Sequence, residues 1–283
     1  MTTTTQTSPV LTEEAAAADQ ALKGRHAAMW ASGDYPRVAD EVVGGLGAIL
    51  VDTVDVQPGQ RVLDVAAGTG TSAVPAARRG AEVVATDLTP QLLEVGRAAA
   101  ALADGTLTWE VADAEALPYA DATYDVVLSC IGVMFAPHHQ RAADELVRVV
   151  RPGGTLGVLS WTPEGFIGQL FATMKPYASP PPPGASPAPL WGRADHVRVL
   201  FGDRVTDLVA RQQNLRVDRF ADGAAFRDFF KASYGPTISA YRFLANDSAR
   251  VVALDADLAA LGDRWLHDGV MEWEYLLVTA RRV

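Results

Sequence analysis

Short apolar segments alternate with helical segments between residues 61 and 161, and this alternation limits the fold more than any other feature. The predicted strands are 61–66, 82–87, 106–112, 124–130 and 155–161. The predicted helices between them are 71–79, 90–103 and 138–150. Strands that alternate with helices in this way form a parallel sheet with helices on both faces, so we expect an α/β fold.

The regions on either side of this alternation have a different pattern. Residues 12–53 are rich in helix formers, and Gly33 and Pro36 divide them into separate helices. After residue 161 helices are predicted at 195–201, 223–233, 236–245 and 248–264, with strands near 205–219 and 271–281. We therefore expect helices before the sheet and a largely helical insertion before its last strands.

The composition argues against several partners and chemistries. The 283 residues carry a net charge of −10, whereas proteins that grip a nucleic-acid backbone usually present a basic face. We therefore expect neither nucleic acid nor a membrane as a partner. Cys130 is the only cysteine, which excludes an intrachain disulfide and a cysteine zinc site and fits the cytoplasm. The N-terminal segment lacks a signal-peptide pattern, and no apolar run is long enough to cross a bilayer.

The segment RVLDVAAGTG, residues 61–70, is predicted to be a buried strand followed by a turn of small residues. Ligands of parallel sheets bind beyond the carboxyl ends of the strands, where small residues let a ligand approach the backbone. Asp87 ends the next predicted strand and can accept hydrogen bonds from a ribose diol. The turn also fits the dinucleotide pattern G-x-G-x-x-A, a weak signal by itself. The negative charge of Asp64 would repel a pyrophosphate and attract a cationic ligand. S-adenosylmethionine is such a ligand, since it carries an ammonium and a sulfonium group.

Four motifs in order extend this interpretation: VLDVAAGTG, VVATDLTPQLLEVGR, VADAEALPYADATYDVVLSC and RVVRPGGTLGVLSW. Together they resemble the class I S-adenosylmethionine-dependent methyltransferases, in particular the branch that includes the ubiquinone/menaquinone C-methyltransferases and small-molecule enzymes of bacterial secondary metabolism. The resemblance implies a doubly wound, seven-stranded Rossmann-like α/β sheet with N-terminal helices and a helical lid insertion.

The expected organisation follows from this resemblance and from the predicted elements. It comprises a disordered leader at 1–11, an N-terminal helical cap at 12–56, an S-adenosylmethionine-binding core at 57–161, a lid or acceptor region at 162–264 with a core strand near 205–219, and a C-terminal strand within 265–283.

The resemblance also implies a set of cofactor-binding residues. They are Tyr35 in the N-terminal cap, Asp64, Ala66, Gly68 and Gly70 at the methionine end, Asp87 at the ribose, Leu88, Asp113 and Ala114 at the adenine, and Ser129 and Cys130 at the end of the fourth strand. The family usually has glycine at the position of Ala66, so this turn should be tighter here. Burial without contact to a ligand is the alternative for Cys130, and a turn hydrogen bond is the alternative for Asp113.

Aromatic residues suggest where an acceptor binds. The candidates are Trp30, Phe135, Trp161, Phe166, Phe171 and Tyr177, since aromatic side chains can line an apolar pocket and face a sulfonium cation. Packing of the insertion against the sheet is the alternative. His138 and His139 follow the fourth strand and are the candidates for a general base, with surface or helix-capping roles as the alternative.

The expected function is direct transfer of a methyl group from S-adenosylmethionine to a small, largely apolar metabolite, such as an aromatic or polyketide-like molecule. One alternative keeps the fold and cofactor but performs cyclisation or decarboxylation. A nicotinamide-dependent oxidoreductase is a further alternative, although neither a second Rossmann half nor a Tyr-x-x-x-Lys pair is present. We expect no metal site, and a monomer or a homodimer.

Overall fold

The computed structural model describes residues 13–100, 106–181 and 184–283. The predicted leader at 1–11 lies outside these ranges. The helices are α1 (Glu13–Trp30), α2 (Tyr35–Val38), α3 (Gly45–Thr53), α4 (Ala73–Arg78), α5 (Pro90–Ala100), α6 (His139–Val149), α7 (Phe166–Met174), α8 (Ala194–Phe201), α9 (Gly223–Ser233), α10 (Gly235–Phe243) and α11 (Ser248–Trp265). The strands are β1 (Arg61–Val65), β2 (Glu82–Asp87), β3 (Thr106–Val111), β4 (Tyr124–Cys130), β5 (Val150–Trp161), β6 (Val205–Val217) and β7 (Met271–Arg282).

The seven strands form one sheet in the order β3-β2-β1-β4-β5-β7-β6. The first five strands are parallel, whereas β7 runs antiparallel to both β5 and β6. This mixed α/β sheet confirms the predicted fold class. The strand order reverses between β1 and β4, and a crevice forms at such a switch point beyond the carboxyl ends of the strands.

The sheet core is built from strands with few polar residues. Val62, Leu63 and Val65 of β1 are buried, as are Val126 to Leu128 of β4. Helices α3 and α4 contact each other and the neighbouring strands β4, β5 and β2. Because these strands are buried on both faces, their sequences are continuous apolar runs and do not alternate between apolar and polar residues.

The largest difference from the predicted boundaries is at strand β5. It begins at Val150 and not at residue 155, because Arg151 to Gly154 continue the strand through an irregular register opposite β4. The last strand, predicted at 271–281, is β7 (Met271–Arg282).

The region at 162–264 covers the far end of the sheet. Helix α11 packs on α9 and α7, and α7 also contacts β7. Strand β6 belongs to this region and pairs with β7 in the sheet. The region is therefore connected to the core by strand pairing as well as by the chain at its two ends. A lid role for it remains a prediction.

Candidate functional site

A pocket with about 810 Å³ of empty space lies beyond the carboxyl ends of β1, β2 and β4. Helix α1 covers it from the opposite side and contributes Lys23, His26 and Trp30. The other lining residues are Tyr35, Ala66, Ala67, Gly68, Thr71, Asp87, Leu88, Thr89, Leu92, Ala112, Asp113, Ala114, Cys130, Ile131, Gly132, Phe135, Ala136 and Pro137. The predicted crevice therefore exists, and most of the predicted cofactor-binding residues lie on its wall.

The turn after β1 uses backbone conformations that side chains rarely adopt. Ala66, Gly68 and Gly70 have φ values of 54°, 57° and 89°. An added Cβ at Gly68 would lie 3.5 Å from the Tyr35 ring, so the turn brings bare backbone and an aromatic side chain together at the pocket wall. Ala66 adopts the left-handed region without being glycine, which costs about 1–2 kcal/mol.

Asp87 ends β2 at the pocket wall with its carboxylate held in place. One oxygen accepts a hydrogen bond from the Gly68 N–H at 2.9 Å, and the other accepts one from the Thr89 N–H at 2.8 Å. Burial raises the pKa of Asp87, against the effect of these two donors. A carboxylate has about four lone-pair positions, so both oxygens retain capacity for ligand hydroxyl groups.

Asp64 of β1 is a buried acid without a partner. The residue is 1% exposed, and neither carboxyl oxygen has a hydrogen bond of normal geometry. Burial raises the pKa of Asp64 to about 8, against the effect of the nearby Ala73 N–H, and the negative charge of Asp87 adds to the rise. The residue lies behind the pocket wall formed by Ala66 and Ala67. A buried acid in this state favours a cation that would restore its charged form.

Two of the predicted cofactor-binding residues, Ser129 and Gly70, have clear structural roles, and their contact with a cofactor remains a prediction. The Ser129 hydroxyl is fully buried, donates to the Val65 carbonyl at 2.7 Å and accepts from the Val133 N–H at 2.9 Å. It therefore connects β4 to β1 and to the turn after β4. Gly70 lies under Trp109, where an added Cβ would come within 2.5 Å of the indole ring. Neither residue lines the pocket.

Asp113 lines the pocket, as predicted, but its carboxylate already has two partners. One oxygen accepts from the Glu115 N–H at 2.9 Å, which is the turn hydrogen bond considered as the alternative. The other lies 2.6 Å from the Lys23 ammonium group of α1. Burial acts to lower the pKa of Lys23, but the hydrogen bonds to Asp113 and Asp19 outweigh it and raise the pKa. Ala114 lies beside Asp113 on the wall.

A second cavity, which we call the aromatic chamber, adjoins the pocket. It is narrow in this structure, with a volume of about 20 Å³ for water-sized molecules, so it must widen to hold a larger ligand. Its lining residues are Trp30, Tyr35, Val38, Val43, Ile131, Phe135, Trp161, Ile167, Phe230, Tyr234 and Trp273. Trp30, Tyr35, Ile131 and Phe135 line both cavities, so the two spaces meet at these four side chains. Ile131 has φ 56°, a strained conformation for a β-branched residue.

The predicted acceptor residues divide into two groups. Trp30 and Phe135 line both cavities, and Trp161 lines the aromatic chamber. Phe166, Phe171 and Tyr177 line neither, and their assignment to the acceptor site is corrected.

Tertiary packing accounts for each of the three corrected residues. Phe166 is fully buried and stacks on Trp273 at a centroid distance of 5.0 Å. The ring of Phe171 packs behind Phe135 at 6.0 Å. The Tyr177 hydroxyl donates to Asp257 at 2.5 Å near the surface.

The two histidines predicted as candidates for a general base do not line the pocket, and a catalytic role for them remains a prediction. His139 is 2% exposed and faces His196, with 3.0 Å between their ring nitrogens. Its pKa is lowered to about 4 by burial and by His196. His138 turns its Nδ1 to Glu115 at 2.9 Å. The histidine on the pocket wall is His26, whose pKa is lowered by burial and by Arg25.

Cys130 and Tyr35 line the pocket as weak acids. Burial raises the pKa of the Cys130 thiol, and the Asp64 charge raises it further. Burial likewise raises the pKa of Tyr35. Both side chains are therefore neutral at physiological pH, and neither is a nucleophile or a base there.

Comparison with known proteins identifies the family. The family model for a methyltransferase domain matches residues 63–158. An uncharacterized protein of Mycobacterium tuberculosis is 52% identical over 264 residues, which cover 93% of this chain and 96% of that protein. A demethylmenaquinone methyltransferase of Renibacterium salmoninarum is 42% identical over 114 residues, which cover 40% of this chain and 46% of that enzyme. The chain is a class I S-adenosylmethionine-dependent methyltransferase.

Solved structures share the fold of this methyltransferase at low sequence identity. A putative methyltransferase of Bacillus halodurans has a TM-score of 0.56 at 20% identity, covering 83% of this chain and 97% of that one. A [4+2]-cyclase, SpnF, has a TM-score of 0.52 at 20% identity, with coverages of 84% and 80%. Phosphoethanolamine N-methyltransferase 2 of Haemonchus contortus, in complex with S-adenosyl-L-methionine, has a TM-score of 0.52 at 16% identity, with coverages of 83% and 52%.

The residues of this methyltransferase fit its cofactor. Asp64 is a buried carboxyl group without a partner, suited to a cationic amino group. Asp87 is an anchored acceptor for hydroxyl groups, and Gly68 exposes backbone beside it. Family membership also excludes the oxidoreductase alternative. Among the described helices, none is both long and apolar enough to span a membrane.

Sequence reasoning placed Trp30 at the site but missed Lys23 and His26, which lie on the same helix. Lys23, His26 and Trp30 follow one another at spacings of three and four residues, which places them on one face of a helix. That periodicity is visible in the sequence, although nothing in the sequence indicates which surface the face covers. The chamber residues Phe230, Tyr234 and Trp273 were missed because they come from distant elements.

Proposed function

We propose that this methyltransferase acts on a small, largely apolar molecule that binds in the aromatic chamber. The observation that carries the proposal is the continuity of the two cavities at Trp30, Tyr35, Ile131 and Phe135. When bound, S-adenosylmethionine supplies an electrophilic methyl group on a sulfonium centre. An acceptor in the chamber would lie next to the pocket that is suited to this cofactor.

The lining of the chamber supports an apolar acceptor. Most of its side chains are aromatic, the others are valine or isoleucine, and none carries a formal charge. The polar groups that remain are tyrosine hydroxyls and indole N–H groups, which can orient a ligand. A charged acceptor would lose its hydration there without gaining an ion partner, which is costly. An aromatic or polyketide-like molecule meets these requirements.

The same residues favour a reaction that depends on positioning. Tyr35 lines both cavities and Cys130 lines the cofactor pocket, and burial raises the pKa of both groups, so neither accepts a proton at neutral pH. Trp30 and Phe135 meet edge to face at 4.7 Å and restrict the opening between the cavities. Alignment of reactants and exclusion of water can by themselves supply much of a barrier reduction.

Non-methylating chemistry is a second proposal, and the apolar, uncharged lining of the chamber is the observation that favours it. A cyclisation needs a shaped apolar cavity and no methyl acceptor, and the fold similarity to the [4+2]-cyclase is compatible with it. The two proposals differ in whether the cofactor is consumed.

The test uses S-adenosylmethionine labelled in its methyl group, with a panel of phenols, indoles and polyketides. Methyl transfer predicts label in the product and one S-adenosylhomocysteine for each turnover. Conversion of a substrate without label and without S-adenosylhomocysteine would instead support the second proposal.

The chamber itself is tested with a pair of matched variants. Ile167→Ala enlarges the chamber, whereas Leu254→Ala removes a similar side chain from the core around α11, outside both cavities. We expect Ile167→Ala to shift the ratio of kcat/KM between a larger and a smaller acceptor, with cofactor affinity retained. Leu254→Ala should leave that ratio unchanged. An equal shift in both variants would place the acceptor elsewhere.

A further inference from the structure

Helix α1 lies lengthwise over the cofactor pocket. Lys23, His26 and Trp30 all line the pocket from its side. With a rise of about 1.5 Å per residue, seven residues of helix span about 10 Å. The Lys23 end lies at Asp113, and the Trp30 end lies at the junction with the aromatic chamber, 4.7 Å from the Phe135 ring. Helix α1 therefore covers one side of the pocket, from the Asp113 end to the junction with the aromatic chamber.

The two ends of α1 are held in different ways. The chain after its C-terminal end packs closely on α9 and α10, because an added Cβ at Gly33 would lie 2.3 Å from the Ser233 carbonyl oxygen. Gly235 approaches the Met29 carbonyl in the same manner, at 2.5 Å. Among the described side chains of α1, Leu22 alone is buried, with 8% exposure. The described side chains before it are exposed or partly exposed and contribute little apolar contact.

Lys23 makes polar contacts that connect this part of α1 to the core. Its ammonium group lies 2.6 Å from Asp113 and 3.0 Å from Glu115, both in the loop after β3. It also lies 2.7 Å from Asp19, four residues earlier on the same helix. The Lys23 side chain is only 11% exposed. An ammonium group has three N–H donors, so these three carboxylates account for all of them.

Glu115 gives this ion pair a rigid base. Its side chain is 1% exposed, and its carboxylate accepts from the His138 N–H at 2.7 Å and contacts His138 Nδ1 at 2.9 Å. Arg141 lies 3.9 Å away from the same carboxylate. The acidic groups Asp19, Glu115 and their neighbour Asp113 thus surround a lysine rather than a metal ion. The Lys23 ammonium group on α1 and the fixed Glu115 carboxylate on the core therefore form an ion pair that can break and form again.

We propose that Lys23 is a positioning residue that latches α1 over the cofactor pocket and limits the rates of cofactor binding and product release. The Lys23 contacts tie α1 to the loop after β3 at the pocket wall, so a ligand that enters or leaves beneath α1 requires them to break. Loss of the latch should therefore accelerate association and dissociation together, with a much smaller effect on affinity.

The experiment measures binding of S-adenosylhomocysteine by stopped-flow tryptophan fluorescence, since Trp30 lies on the moving helix. The variants are Lys23→Met, Lys23→Arg and, as a matched control, Lys231→Met. Lys231 pairs with Asp255 at 2.8 Å, on α9 and away from the pocket. For Lys23→Met we expect both rate constants to rise about tenfold, or about 1.4 kcal/mol in each barrier. The dissociation constant should stay within about threefold, and Lys231→Met should match the wild type.

Two results would overturn the proposal. One is faster dissociation with unchanged or slower association, because Lys23 would then contact the ligand directly and not act as a latch. The other is a pair of rate constants in Lys23→Met that equal those of the wild type. Lys23→Arg keeps the charge and should restore most of the slow kinetics.

Discussion

Replacement of Asp64 by asparagine tests the state of the buried acid in the ligand-free protein. Burial raises the pKa of Asp64 from 3.8 to about 8. At pH 7 the folded protein therefore keeps this group protonated, whereas the unfolded chain ionises it. The interval of about three units between the unfolded pKa and pH 7 lowers the free energy of unfolding of the wild type by at most about 4 kcal/mol. Asparagine keeps the shape of the side chain and cannot ionise.

The sign of the pH dependence follows from the proton balance. Between pH 4 and pH 8 the folded protein binds a proton that the unfolded chain has released, so the wild-type free energy of unfolding falls as the pH rises. Asp64→Asn removes this dependence. The unpaired amide costs about 1–3 kcal/mol at every pH. The free energy of unfolding of Asp64→Asn relative to that of the wild type should therefore rise by about 3 kcal/mol from pH 5 to pH 7.

The assay is urea unfolding of the ligand-free proteins at pH 5, 6 and 7, with Asp203→Asn as a control at an exposed turn. We expect Asp64→Asn to be the more stable protein at pH 7 and yet to bind S-adenosylmethionine more weakly. A variant that is less stable than the wild type by the same amount at each pH would refute the reasoning. In that case Asp64 would be an ionised, structural carboxylate.

Two further predictions concern stability. Ala66→Gly should raise the free energy of unfolding by up to about 1 kcal/mol, because Ala66 has a positive φ that glycine adopts without strain. Ala67→Gly, next to it and without a positive φ, should lower stability in the same denaturant assay; a gain in both would contradict the argument. For His139, a folded pKa of about 4 means that stability falls as the pH drops from about 6.5 to 4. His139→Gln should flatten that part of the profile in thermal melts, and an unchanged slope would assign the effect to other groups.

Much of the fold could be predicted because local patterns agree with the tertiary structure. The strands at 82–87 and 124–130 and the helix at 223–233 occur at their predicted bounds. Parallel strands buried on both faces give apolar runs, and the turn residues between them give clear boundaries. Asp87 lies on the pocket wall because strand ends in a parallel sheet meet at one edge.

The acceptor region could not be predicted to the same extent. Trp161 and Phe166 are both aromatic and follow one another closely, yet one lines the aromatic chamber and the other stacks in the core. This difference depends on Trp273, far along the chain. Lys23 was missed for the same reason, since its partners Asp113 and Glu115 belong to another element. A local sequence pattern shows which residues share a face of a helix, but it does not show which other element that face contacts.

Calorimetric titration of S-adenosylhomocysteine into the wild type and Asp87→Ala tests the central claim most directly. The claim is that this pocket holds the cofactor, with the anchored Asp87 carboxylate accepting hydrogen bonds from its hydroxyl groups. Hydrogen bonds to a charged acceptor contribute about 1.5–3 kcal/mol, so Asp87→Ala should weaken binding by about tenfold or more. Asp222→Ala, which removes a helix cap remote from the pocket, should retain the wild-type affinity. Equal affinity of Asp87→Ala and the wild type would contradict the account.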